Sequence, residues 1–233
     1  MARVYNKKNK MDVGILSWSI RAKDFMDFKL TIFSDYICPW CYVGQGVVEQ
    51  LKREYQVEVE WRPFYLMPDT PPQGMDLPEY IRRARANGSE ERLAQLAAQH
   101  GLKFVSTKRI YNTRIAHEAT EYAREHGRAN EFHKIVFRKV YAEGQDPADW
   151  QVLCDAAKEA GLNADEMQVQ VEAGTYTAEV ARQVEQAYQL GISGVPTYVI
   201  NDRYALVGAQ PYQVFKRTLA RIMNEKSDSY PKG

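Results

Sequence analysis

Leu30-Thr31-Ile32-Phe33-Ser34-Asp35-Tyr36-Ile37-Cys38-Pro39-Trp40-Cys41 is the stretch on which the fold turns. Leu30 to Phe33 reads as a short apolar strand, ended by Ser34 and Asp35. Beyond the cysteines, Val43, Val47, Leu51 and Tyr55 recur at four-residue spacing, the face of an amphipathic helix. Gly44 and Gly46 weaken that helix intrinsically, so its first turn is expected to pack closely against something. Val57-Glu58-Val59-Glu60-Trp61-Arg62 then alternates apolar and charged residues, a strand with one buried face. The run is strand–helix–strand, with two cysteines at the start of the helix.

That position has chemical meaning. The thiolate, and not the thiol, is the redox nucleophile, so the chemistry needs something that stabilises negative charge on sulfur. A helix N-terminus supplies unpaired N–H groups and a partial positive charge. Cys38 is placed just before the first turn, and Pro39 suits the first helical position because it has no N–H to satisfy. Cys41 falls three residues on, within reach of Cys38 but one turn inward. Cys38 is thus expected to attack and Cys41 to resolve. A zinc site needs about four ligands. Only Cys154 remains, and His100, His117, His126 and His133 show no paired spacing near it. No metal is expected; two unrelated buried cysteines is the other alternative.

Pro63, Pro68, Pro71 and Pro72 end the regular strand structure. From Asp76 to Leu190 the pattern is helical throughout, in about six or seven helices. Asp76-Leu77-Pro78-Glu79 and Asn163-Ala164-Asp165-Glu166 read as capping boxes, and Asp146-Pro147 as a cap before a first-turn proline. Gly88, Gly101, Gly127, Gly161, Gly174 and Gly191 fall where helices should stop. Thr197-Tyr198-Val199-Ile200 and Tyr204-Ala205-Leu206-Val207 flank the polar turn Asn201-Asp202-Arg203, a hairpin. Pro211 opens a last helix with Val214, Phe215, Leu219 and Ile222 inward. Neither strand pair makes a stable sheet alone. Pairing both ends of the chain into one sheet gives an α/β fold, βαβ…ββα, with a large all-helical insertion.

Asp35-Tyr36-Ile37-Cys38-Pro39-Trp40-Cys41-Tyr42-Val43-Gly44 resembles the active-site segment of DsbA-type thioredoxin-fold oxidoreductases, in the FrnE-like branch. That branch is related to 2-hydroxychromene-2-carboxylate isomerase and kappa-class glutathione transferase. Asn112-Thr113 with Ala116-His117, Gly194-Val195-Pro196-Thr197 and Gly208-Ala209-Gln210-Pro211 resemble further elements of it, so the likeness covers about residues 28–224. It implies a thioredoxin-like domain from 28–72 and 191–233, an inserted helical domain at 73–190, and an N-terminal extension at 1–27. It also implies a cis Val195-Pro196 bond that sets the Val195 backbone beside the disulfide, where an incoming peptide can pair with it. The isomerase and transferase relatives carry serine in place of the first cysteine. This chain keeps Cys38, which favours thiol–disulfide exchange.

The expected activity is therefore a thiol–disulfide oxidoreductase or disulfide isomerase with a Cys38–Cys41 redox disulfide. It needs no other cofactor and acts on protein thiols or small thiols, with glutathione an admissible co-substrate. The alternatives are a glutathione-dependent isomerase or transferase acting on a small molecule, and a holdase that binds extended polypeptide. Asp35 either helps protons reach or leave Cys41 or caps the strand end. Asn112 suits a cleft lining and a helix N-cap equally. His117 either faces the motif or is an ordinary core or surface histidine. Cys154 shares a face with Trp150, Leu153 and Ala157 and reads as a small buried hydrophobe; Met167, Tyr176 and Tyr188 read as core.

The net charge of +1, from 31 basic and 30 acidic residues, is a cancellation. Residues 1–25 hold six basic against two acidic residues, or +4, leaving 25 basic and 28 acidic residues, or −3, for the rest. That body has no basic excess for nucleic acid. The leader lacks the continuous apolar stretch of about 7–15 residues that a signal peptide needs. It reads as a disordered extension or as an upstream start, with Met26 the natural initiator. Membrane association is not expected, the cytoplasm is the expected compartment, and the oligomeric state is open between monomer and homodimer.

Overall fold

The first strand, β1 (Phe28–Ser34), is buried along almost its whole length, because it runs through the centre of a four-stranded sheet of order β2-β1-β5-β6. The structure, a computed structural model, describes residues 28–228; the basic leader and Met26 lie outside them. Helix α1 (Pro39–Glu54) returns the chain to β2 (Val57–Pro63), which pairs parallel to β1 with Leu30 opposite Val59 and Ile32 opposite Trp61. The C-terminal strands β5 (Thr197–Ile200) and β6 (Tyr204–Val207) form the expected hairpin, and β5 lies antiparallel on the other side of β1, with Tyr198 opposite Ile32. Its turn puts Asn201 and Asp202 at φ +51° and +54°, a conformation their short polar side chains tolerate. The Asn201 side-chain oxygen accepts from the Lys29 amide at 3.0 Å, which ties the turn to β1. Helix α9 (Tyr212–Asp228) closes this layer with Phe215, Leu219 and Ile222 against Leu30, Ile32 and Leu51; Val214 is only half-buried. One sheet thus draws its strands from both ends of the chain.

Between β2 and β5 come α2 (Glu79–Ala84), α3 (Glu90–Gln99), α4 (Arg114–Glu125), α5 (Ala129–Glu143), α6 (Trp150–Glu159), α7 (Ala164–Glu172) and α8 (Thr177–Gln189). The uniformly helical reading of this segment needs correction. Met75–Asp76 (β3) and Arg109–Ile110 (β4) pair as a short antiparallel ribbon. With Asp76 in a strand it caps nothing: α2 starts after Pro78 without a side-chain cap, and the Glu79 carboxylate is held by Arg82 and Arg83. Asp146 also fails as a helix cap. Its carboxylate accepts from the Ala148 amide at 2.7 Å in a local turn, and Asp149 caps α6 through the Gln151 amide at 2.8 Å. Asn163 does cap α7, accepting from Glu166 N at 3.2 Å. Gly101, Gly127, Gly161, Gly174 and Gly191 follow helix ends with positive φ, whereas Gly88 (φ +85°) lies inside the kink Arg85–Ser89 that joins α2 to α3.

The largest buried cluster mixes the motif with the helices. Tyr36, Cys38, Cys41 and Tyr42 pack among Tyr122, Phe132, Phe137, Val140, Leu153 and Met167. Met167 and Tyr176 are core as expected. Tyr188 is not: it is 43% exposed and rests edge-on against Phe64. Cys154 is only partly buried, packing against the cluster with its sulfur 3.5 Å from Gln168 Oε1.

Candidate active site

The chain leaves β1 through Asp35 and Tyr36, whose turn is closed by the Cys38 amide donating to the Asp35 carbonyl at 2.9 Å. Cys38 takes the N-cap position of α1 in an extended conformation (φ −91°, ψ 106°), and Pro39 opens the helix. The Cys41 and Tyr42 amides donate to the Cys38 carbonyl at 3.1 and 3.3 Å, and the start of α1 places its partial positive charge beside the N-cap residue. Cys38 and Cys41 are free thiols, 3% and 0% exposed. Burial pushes the Cys41 thiol well above its ordinary range. Its hydrogen bond with Cys38 and the charge on that sulfur push the same way, while the Asp35 backbone and the Ser34 hydroxyl oppose them. Cys41 is therefore held protonated at neutral pH.

The loop before β5 closes the site from the other end of the chain. The Val195-Pro196 bond is cis, as the sequence resemblance implied. The Cys38 thiol donates to the Val195 carbonyl at 3.4 Å, so the loop backbone lies directly on the sulfur. Gly208 N donates to the Pro196 carbonyl at 2.7 Å, and Thr197 Oγ1 to the Gly194 carbonyl at 2.7 Å; these bonds fix the loop. The two glycines of α1 have the expected steric reason. A β-carbon on Gly44 would strike the Tyr198 hydroxyl and lie 3.7 Å from Pro196, and one on Gly46 would strike the His100 side chain. Trp40 is half-buried beside the motif, with the Arg92 guanidinium 5.9 Å over its ring.

Asp35 is fully buried and serves as a clamp. Its carboxylate accepts from Leu66 N at 2.7 Å, from the Thr113 hydroxyl at 2.9 Å and from Ile37 N at 3.4 Å, joining the end of β1, the segment after β2 and the start of α4. His117 is also buried, with Nε2 3.5 Å from Asp35 Oδ1 and its ring packed on Tyr36 and Tyr65. It is a core histidine one contact away from the motif. Asn112 behaves as a capping residue: its oxygen accepts from Arg114 N at 2.9 Å, and its amide donates to the Thr70 carbonyl at 2.6 Å. The structure therefore brings Asp35, His117, Cys38, Cys41, Val195 and Pro196 together, and uses Asn112 to anchor a neighbouring loop.

Three residues beside the sulfurs were not singled out from sequence. The Ser34 hydroxyl works against the upward shift of the Cys41 thiol, and buried Tyr141 and Tyr198 carry phenols whose ionisation is opposed by burial and by the cysteine charges. Ser34 is legible in principle as the last residue of β1. Tyr141 and Tyr198 come from α5 and β5, and no local pattern marks them. Among the described residues, no cluster of three or more His, Cys, Asp or Glu could hold a metal ion, and no helix is long and apolar enough to cross a membrane.

The chain is similar to known proteins over most of its length. The chain is 28% identical over 202 residues to the Bacillus subtilis protein YwbO, spanning 86% of this chain and 100% of that one. It is 25% identical over 188 residues to the 2-hydroxychromene-2-carboxylate isomerase of Sphingobium xenophagum, spanning 75% and 89%. The crystal structure of a probable DsbA oxidoreductase from Streptomyces coelicolor superposes with a TM-score of 0.77 at 30% identity, covering 85% of this chain and 91% of that one. The model of the DSBA-like thioredoxin domain matches residues 29–220. With that match running from β1 into α9 and enclosing both cysteines and the cis-proline loop, the chain belongs to the DSBA-like thioredoxin domain family.

Proposed function

We propose that the protein is a thiol–disulfide oxidoreductase or disulfide isomerase whose reactive group is the Cys38–Cys41 dithiol. The observation that carries this reading is the stacking of three features at one point: a cysteine at the N-cap of α1, a fully buried second cysteine behind it, and the Val195 carbonyl 3.4 Å from the first sulfur. In the oxidised protein, a substrate thiolate attacks Cys38 Sγ. The Cys38–Cys41 bond breaks, Cys41 leaves with the electron pair and takes up a proton, and a mixed disulfide forms on Cys38. A second substrate thiolate then releases Cys38 and carries away the new disulfide. In reverse, Cys38 thiolate attacks a substrate disulfide, and Cys41 resolves the adduct. Val195 and Pro196 present backbone to an extended substrate, and Pro39 and Trp40 shape the rim. Thiols of proteins or small molecules are the partners, and the cytoplasm is the compartment we propose. We also propose that residues 28–72 with 191–233 form the redox domain and 73–190 its helical cover.

Insulin reduction by the wild type and by Cys38→Ala and Cys41→Ala variants tests this. Loss of turnover in both variants is expected; full activity in Cys38→Ala ends the reading. The likeness to 2-hydroxychromene-2-carboxylate isomerase supports a second reading, glutathione-dependent isomerisation or transfer on a small molecule. It predicts turnover that requires glutathione and survives loss of Cys41.

A further inference from the structure

Helix α3 docks beside the first turns of α1 through Leu93 and Ala97, which share a cluster with Val43 and the half-buried Trp40. That register puts Arg92, the residue before Leu93, at the exposed edge of the same contact, with its guanidinium 5.9 Å over the Trp40 ring. Trp40 lies two residues beyond Cys38 in the first turn of α1, so Arg92 stands over the rim of the dithiol. The arginines nearby in the chain are already engaged. Arg82 and Arg83 hold Glu79 at 2.7 and 3.0 Å, and Arg85 donates to the Thr107 carbonyl at 2.7 Å. Among the described residues Arg92 has no carboxylate or carbonyl partner, and its own helix offers it none. Glu90 and Glu91 precede it by two positions and one, which do not face it, and Ser89, Gln95 and Leu96, which do, are uncharged. A guanidinium laid over an indole keeps its fork of N–H donors free for a planar carboxylate.

We propose that Arg92, held over Trp40, is a specificity-determining residue that pairs with a substrate carboxylate close to the sulfur that Cys38 attacks. The proposal rests on the dithiol reading above and names its substrate class: disulfides and thiols that carry a carboxylate, in preference to neutral or cationic ones. Cys38 thiolate attacks one substrate sulfur, a Cys38–substrate bond forms, and the substrate's own S–S bond breaks. The departing thiolate leaves with the electron pair and takes a proton from solvent. Arg92 exchanges no proton; it holds the half that stays on Cys38. The Val195 carbonyl, 3.4 Å from the Cys38 sulfur, offers an extended chain a backbone partner whatever its side chains, so it does not select for charge. Nor does the general field favour an anion, because residues 26–233 hold 25 basic and 28 acidic residues. The selection is local, and Arg92 supplies it.

Protein carrying Cys41→Ala and Cys154→Ala, on which the Cys38 adduct accumulates, is compared with and without Arg92→Gln. Adduct formation is timed by acid quench and intact-protein mass spectrometry with five disulfides. These are oxidised glutathione, a disulfide-linked peptide with Asp beside its cysteine, the same peptide with Asn there, hydroxyethyl disulfide and cystamine. Dividing each variant rate by the rate with Arg92 present cancels the intrinsic reactivity of each disulfide, and a change in Cys38 itself scales all five ratios alike. Arg92→Gln is expected to slow oxidised glutathione, the Asp peptide or both about five-fold relative to the Asn peptide and hydroxyethyl disulfide, near the upper end for an exposed ion pair. Cystamine should not share that loss. The glutathione and Asp-peptide arms show whether a small thiol or a polypeptide carries the carboxylate. Arg92→Lys, which keeps the charge without the fork, is expected to recover only part of the rate. Ratios that agree within two-fold for all five disulfides, or full recovery by Arg92→Lys, overturn the proposal. Failure of the dithiol reading looks different: no disulfide then forms an adduct at Cys38 even with Arg92 present.

Discussion

Replacing Asp35 by alanine strands the Leu66 amide and the Thr113 hydroxyl in a buried setting, where each accepted bond was to a carboxylate. Bonds to charged groups contribute about 1.5–3 kcal/mol each, so Asp35→Ala should cost about 3 kcal/mol in urea unfolding. Thr113→Val, which removes one bond and leaves the Leu66 amide satisfied, should cost about 1 kcal/mol. His133 adds a pH dependence. Its folded pKa lies below the ordinary 6.5, so the unfolded chain binds its proton first. The associated stability is present above about pH 6.5 and is lost as pH falls through that value toward the depressed folded pKa. Unfolding free energy should therefore decline between pH 7 and 5 in the wild type and be flatter in His133→Gln, although that variant starts lower because the ring stacks on Trp61 at 3.9 Å. At this scale Cys38-Pro39-Trp40-Cys41 announced its own chemistry. Ser34, Tyr141 and Tyr198 did not, because their meaning arises only when three distant segments meet at the sulfurs.

At the scale of elements, helix and strand periodicity located β1, α1, β2, the hairpin and α9, since each buries one regular face. The caps were harder. Asp76 and Asp146 have the right residue type, but a strand pair claims the first and a local turn the second. Deleting a working N-cap costs about 1 kcal/mol. Asp149→Ala and Asn163→Ala should each show that loss in chemical denaturation, while exposed Asp76→Ala should stay within about 0.5 kcal/mol. The β3–β4 ribbon escaped notice because two-residue strands carry no periodicity. The tight first turn of α1 was legible from Gly44 and Gly46, but its partners, the Tyr198 hydroxyl and His100, were not. A Gly44→Ala variant must displace the buried Tyr198 ring from α1, and overpacking of this kind typically costs about 1–3 kcal/mol.

Across the whole molecule, the joining of both chain ends in one sheet followed from the sequence, because a lone strand pair is unstable. How the helical segment docks did not, since amphipathic faces say what is buried and not against what. In the structure they share a core with Tyr36, Cys38, Cys41 and Tyr42. Sheet and helices should therefore unfold together, with coincident near- and far-ultraviolet circular dichroism transitions. Phe137→Ala, which empties the middle of the shared cluster, should shift both probes by about 3–5 kcal/mol. Two separated transitions would contradict a common core. The central claim, that Cys38 at the helix start takes the substrate and Cys41 releases it, is tested most directly by intact-protein mass spectrometry. Oxidised glutathione and a disulfide-bonded peptide would be offered to reduced wild type, Cys38→Ala and Cys41→Ala. The account predicts a stable mixed disulfide that accumulates on Cys41→Ala and maps to Cys38, with none on the other two at these positions. An adduct that maps to Cys41 in Cys38→Ala at equal yield, or no adduct on Cys41→Ala, would contradict it.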